Sequence, residues 1–124
     1  MKKLILLFLL LFPLLLYSKT YTPYVRYQKY LNPFDNWSEW CNPILTSTTI
    51  TITPDYITVS NKSYRILRLI KTYSLYGGLR CREYFILDPT VKDEGVLVVV
   101  DKPKGHEIYI KWPNVQWCWL IRSP

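Results

Sequence analysis

The chain of 124 residues has one histidine, four glycines and three cysteines, few of the residues from which most metal and phosphate sites are built. His106 stands alone, and Cys41, Cys81 and Cys118 lie 40 and 37 residues apart, so the close ligand spacing of a zinc site is missing. No metal and no cofactor is expected. The Gly77-Gly78 pair is followed by no helix-opening pattern, which excludes a phosphate-cradling loop. Internal repeats are also absent, and the length suits one domain.

Catalytic groupings are equally scarce. Hydrolysis needs a nucleophile with a base, or paired carboxylates, brought together by the fold. His106 sits at the Gly105 turn, where a solvated imidazole is the plainer reading, and Asp88, Asp93, Glu94 and Asp101 fall in expected loops. Glu83 alone is out of place. Its parity sets it with Leu79, Cys81 and Phe85, a costly position for a charge unless it is paired. Arg68, beside Ile66 and Ile70, has the same difficulty, so a Glu83–Arg68 pair is one resolution. A non-enzymatic role is expected, and an enzyme would have to depend on His106 or Glu83.

The front end points to export. Lys2 and Lys3 precede an apolar run from Leu4 to Leu16, broken by Pro13 and followed by Tyr17, Ser18 and Lys19. This is the layout of a signal peptide over 1–18, with cleavage after Ser18. The run falls short of the roughly 20 apolar residues that span a bilayer. The missing Ala-x-Ala keeps an uncleaved anchor open, and only then is membrane attachment expected. A periplasmic or secreted location follows. Without Lys2 and Lys3, 14 basic side chains face 9 acidic ones, a net charge of +5. That favours a protein or an anionic envelope component as partner, while its mildness and the export argue against nucleic acid. In an oxidising compartment one cysteine pair is expected. Cys81 shares a strand face with apolar neighbours, which leaves Cys41 with Cys118.

From 19 to 43 the chain is rich in aromatics and proline. Tyr21, Tyr24, Tyr27 and Tyr30 recur every third residue, then Phe34, Trp37 and Trp40, among Pro23, Pro33 and Pro43. Such spacing lines one edge of an extended polyproline-type arm. The plainer reading has these rings covering one end or seam of a core. The sharper one has them exposed as a track for a partner or a glycan.

Residues 44–124 read as an antiparallel β domain. Ile50 and Ile52 alternate with threonines, then Ile57 and Val59, then Tyr64 and Ile66, with turn residues between the pairs. Ser63 to Tyr76 reads as a strand rather than a helix because no cap precedes it, and its length calls for a bulge near Leu67 to Leu69. Gly77-Gly78 turns it into Leu79–Leu87. Val96 to Val100 is apolar throughout and suits a central strand covered on both faces. Ile108, Ile110 and Trp112, then Val115, Trp117, Trp119 and Ile121, form the inward faces of the last two strands.

About seven strands result, an all-β antiparallel meander forming a small barrel or curled sheet, with part of the arm able to supply an eighth element for closure. Arg65, Arg68, Lys71, Arg80 and Arg82 crowd one hairpin among tyrosines. They are either its solvated face or a grip for an anionic polymer.

The run ITITPDYITVSNKSYRI, the Trp37-Ser-Glu-Trp40 stretch and the ending IYIKWPNVQWCWLI resemble small exported bacterial β-meander proteins to which no role is assigned. The resemblance implies a bacterial exported setting and carries over no catalytic residue. The expected function is a binding module that uses the arm or the basic hairpin. The alternative is a carrier that holds an apolar ligand between Trp112, Trp117 and Trp119.

Overall fold

A computed structural model describes residues 18–122. The expected leader lies outside them, apart from an exposed Ser18. The described residues contain no helix; all regular structure is β. The strands are β1 (Lys19–Tyr21), β2 (Val25–Tyr30), β3 (Ile44–Leu45), β4 (Ile50–Ile52), β5 (Tyr56–Val59), β6 (Lys62–Leu75), β7 (Leu79–Asp88), β8 (Asp93–Lys102), β9 (Gly105–Lys111) and β10 (Val115–Arg122). They form one antiparallel sheet in the order β1-β4-β5-β6-β7-β8-β9-β10-β2-β3, curled into a half-barrel.

The meander from β4 to β10 follows from alternation and turn chemistry. Ile50, Ile57, Tyr64, Ile86, Leu97, Ile108, Ile110, Trp119 and Ile121 point to the concave side and fill one core. Short turns join the strands. At Gly77 and Gly78 the backbone has φ of 85° and 79°, a left-handed conformation that glycine adopts without Cβ strain. The β6–β7 ladder slips between Ile66 and Arg68 and again between Leu69 and Lys71, so the expected bulge is present and a second follows it. Val96–Val100 is central as expected. Leu97 and Val99 join the concave core, while Val98 and Val100 pack with Cys81 in a smaller cluster on the convex side.

The count of ten rather than seven comes from the ends of the barrel. The segment 19–43 is woven into the sheet: β1 pairs with β4, and β2 pairs with β10 on one side and β3 on the other. Only Thr22, Pro23 and Tyr24 separate β1 from β2, so the chain passes from one flank of the curled sheet to the other across a buried Pro23. Proline is tolerated at such a break because no ladder hydrogen bond is asked of its nitrogen. The arm thus adds a short strand to each flank, but the curled sheet stays open, with β1 and β3 as its two edges.

Candidate functional site

The third-residue spacing of the tyrosines does not make a single track. A strand turns successive side chains to opposite faces, so a step of three alternates sides. Tyr21 is buried on the concave side with its ring edge against His106 (centroids 5.1 Å apart). Tyr24 lies at the crossing beneath the Arg122 guanidinium, 4.2 Å from its ring centre. Tyr27 shares the convex face with its cross-strand partner Cys118, and Tyr30, opposite Val115, turns to the other face.

The two tryptophans of this region are gathered by a different device. After β2 the chain reverses through Phe34 and Asp35, where the Asn32 side-chain carbonyl accepts from the amides of Phe34 and Asn36 (2.9 Å each). This is the local bonding that makes asparagine a turn residue. The return segment runs back beside β2, pinned by Ser38 N–H to Tyr30 O (2.8 Å) and Cys41 N–H to Gln28 O (2.9 Å). It lays Trp37 and Trp40 over the convex face. The Lys29 ammonium lies 4.7 Å from the Trp40 ring centre and 5.8 Å from that of Trp37. The Trp40 ring stands 6.4 Å from Tyr109 on β9.

Tyr27, Trp40, Tyr109, Cys118 and Leu120 line a shallow cleft of about 290 Å³. Trp37 and Trp40 each keep 38% of their surface in solvent, so rings of this size are positioned without being consumed by the core. Tyr109 donates to Glu107 Oε2 (2.7 Å), and burial together with that carboxylate raises its pKa, so it remains a neutral phenol. Burial also pushes the Cys118 thiol up to about 11. Lys29 and Tyr109 were not singled out from sequence. Nothing local showed that the return segment would meet them.

The basic hairpin divides between two faces. Arg65, Arg68 and Lys71 lie opposite Leu87, Phe85 and Glu83 on the convex side, whereas Arg80 and Arg82 lie opposite Ser74 and Thr72 on the concave side. The five cations therefore do not form one surface. Glu83 is paired with Lys71 (3.5 Å), not with Arg68, whose guanidinium stacks over Phe85 at 4.8 Å. The neighbouring Glu83 carboxylate raises the Tyr73 phenol to about 12. Glu83 does not face the main core, because in β7 it is Tyr84 and Ile86 that turn inward.

Trp112, Trp117 and Trp119 turn inward as expected, but they pack on one another. Their centroids are 6.2 Å apart from 112 to 117 and 6.0 Å from 117 to 119, both edge-to-face, and Tyr64 closes on Trp112 at 5.3 Å. The rings are part of the core and do not enclose a ligand space between them. Cys41, Cys81 and Cys118 are free thiols, and the expected Cys41–Cys118 bond is not formed. The Cys41 sulfur instead accepts from Gln28 N–H (3.3 Å) and donates to Asn42 O (3.1 Å).

His106 is not a free turn residue. Its Nδ1 is 2.8 Å from Asp101 Oδ1, and the same carboxylate meets Arg82 Nη2 at 3.4 Å. Compared with known proteins, the chain matches no family model, no curated protein and no solved structure.

Proposed function

We propose that this is a non-enzymatic binding module of the periplasm or the exterior, and that it engages a macromolecular partner through the convex aromatic patch. One observation carries the reading: Trp37 and Trp40, both well exposed, share the Lys29 ammonium and stand beside the Tyr27–Tyr109 cleft. Large amphipathic rings held in place lose little conformational freedom on contact, which is why Trp and Tyr dominate binding hot spots. The patch needs no covalent chemistry to act, and its lysine gives a partner with acidic groups something to pair with. The partner we favour is a protein or an anionic component of the cell envelope.

Export rests on the leader pattern over 1–18, and the module reading does not require that the leader be cleaved. The carrier alternative draws no support from the three packed tryptophans. The double variant Trp37→Ala/Trp40→Ala tests the module. Cross-linked capture from the envelope of the producing cell should fall at least tenfold while the melting temperature changes by only a few degrees. Undiminished capture by the folded variant would refute the patch as the contact surface.

A further inference from the structure

We infer that the concave face, at the end of the sheet that carries the Gly77-Gly78 turn, holds a binding site for a tetrahedral oxyanion, namely phosphate or a phosphate monoester. This site lies on the opposite face of the sheet from the aromatic patch and does not depend on it.

The ladder registers build it. Ser74, Arg80, Asp101 and His106 are successive cross-strand partners from β6 to β9 and form one row. Thr72, Arg82 and Val99 form the next row on the same face. Directly opposite residues have Cβ atoms about 5 Å apart. Two steps along a strand cover about 7 Å. Thr72, Ser74, Arg80 and Arg82 therefore form a block of four neighbouring hydrogen-bond donors on one face. Lys19 of β1 joins them, and together with Asp101 they line a cavity of about 460 Å³.

Charge and hydrogen bonding are both unbalanced there. Three cations surround one carboxylate, and that carboxylate is already engaged by His106 and Arg82. Among the described residues neither Arg80 nor Lys19 forms an ion pair. Arg82 Nε is buried with no hydrogen-bond partner, so this guanidinium is under-satisfied as it stands. A planar carboxylate would occupy one guanidinium fork. The unpaired Arg80 fork, the Lys19 ammonium, the hydroxyls of Thr72 and Ser74 and the side of Arg82 not held by Asp101 line one cavity, a set that suits an anion with four oxygens. Asp101 and Tyr21 are positioning residues: Asp101 holds Arg82 from one side, and the Tyr21 hydroxyl lies beside the same guanidinium.

The test is calorimetric titration of the protein with inorganic phosphate at constant ionic strength in chloride. One saturable site is expected, and Arg80→Gln should weaken it at least tenfold without moving the melting temperature, since Arg80 is exposed and makes no ion pair. Arg68→Gln, on the convex face, should bind as the parent does. Absence of saturable phosphate uptake, normal binding by Arg80→Gln, or an equal loss in Arg68→Gln would each overturn the site. Two further arms separate the sources of the group. Glycerol phosphate competing with phosphate indicates a soluble monoester. Binding to phosphatidic acid vesicles, but not to phosphatidylglycerol vesicles, with displacement by inorganic phosphate, indicates a lipid headgroup. Vesicle binding that phosphate cannot displace counts against the site.

Discussion

Replacing Gly95 with alanine asks whether the interior is full. Gly95 lies on β8 opposite Ile86, at a backbone conformation open to any residue, so alanine would meet no dihedral penalty there. What it would meet is the Trp112 ring. An added Cβ comes to 2.6 Å from Cε3 and 2.8 Å from Cζ3, with the Lys111 carbonyl at 3.0 Å. Carbon atoms prefer about 3.5–4.0 Å. The ring must therefore move by roughly 1 Å, yet it is held between Tyr64 and Trp117. Overpacking of this kind costs about 1–3 kcal/mol. The reduced freedom of the unfolded chain returns about 0.4–1 kcal/mol.

A net loss of about 1–2 kcal/mol remains. At about 4–8 °C per kcal/mol for a domain near this size, the melting temperature should fall by about 5–15 °C. Thermal unfolding followed by far-ultraviolet circular dichroism reads it, and near-ultraviolet spectra report the coupled rings. In a Trp112→Leu background the Gly95→Ala cost should shrink, because the clashing atoms are gone and the two sites share one contact. An unchanged or raised melting temperature for the single variant would refute the packed interior. It would mean that Trp112 has empty space to swing into, as a ligand carrier requires.

Two other measurements bear on the thiols and on acid stability. Native alkylation at pH 8 should label only the half-exposed Cys41 quickly, because Cys81 is buried and burial holds Cys118 at about 11. All three thiols should label after denaturation without reductant, whereas recovery of a single reactive thiol there would establish a disulfide. The Lys62–Asp88 pair (2.9 Å) holds the Asp88 carboxyl below its ordinary value, aided by the Thr90 amide. A depressed folded-state pKa contributes stability above the unfolded value, near 4, and loses it as pH falls through the folded one. Asp88→Asn should accordingly lower the melting temperature at pH 7 and leave it nearly unchanged at pH 2. An equal loss at both pH values would count against the ion pair.

The meander from Ile50 to Ile121 was legible because its strands are bounded by turn signals and, outside the central pair β7 and β8, show one apolar parity. Pro54-Asp55, Asn61, Gly77-Gly78 and Pro113-Asn114 all fall at or next to observed turns. Parity failed at β7. Leu79, Cys81 and Phe85 on one side compete with Tyr84 and Ile86 on the other, because both faces of the central strands are covered there. Glu83 looked misplaced for that reason, and its partner Lys71 lay beyond a bulge whose effect on register no local pattern gives. The arm misled through composition: three prolines suggested a polyproline-type segment lying across the domain, whereas β1 ends before Pro23 and β2 fits between Pro23 and Pro33. The convex patch depends on a contact between Trp40 and Tyr109, 69 positions apart, and no periodicity encodes that. The same limit hid the concave rows, since it takes four strands to set Ser74 in line with His106.

The short crossing at Pro23 fixes the timetable of assembly. β2, near the start, can pair with β10 only when the final strand is available, and until then β1 and β2 cannot hold both flanks together. Contacts this distant in sequence close slowly. A chain that still lacks Val115–Arg122 therefore leaves β9 with a bare edge and β2 without its main neighbour.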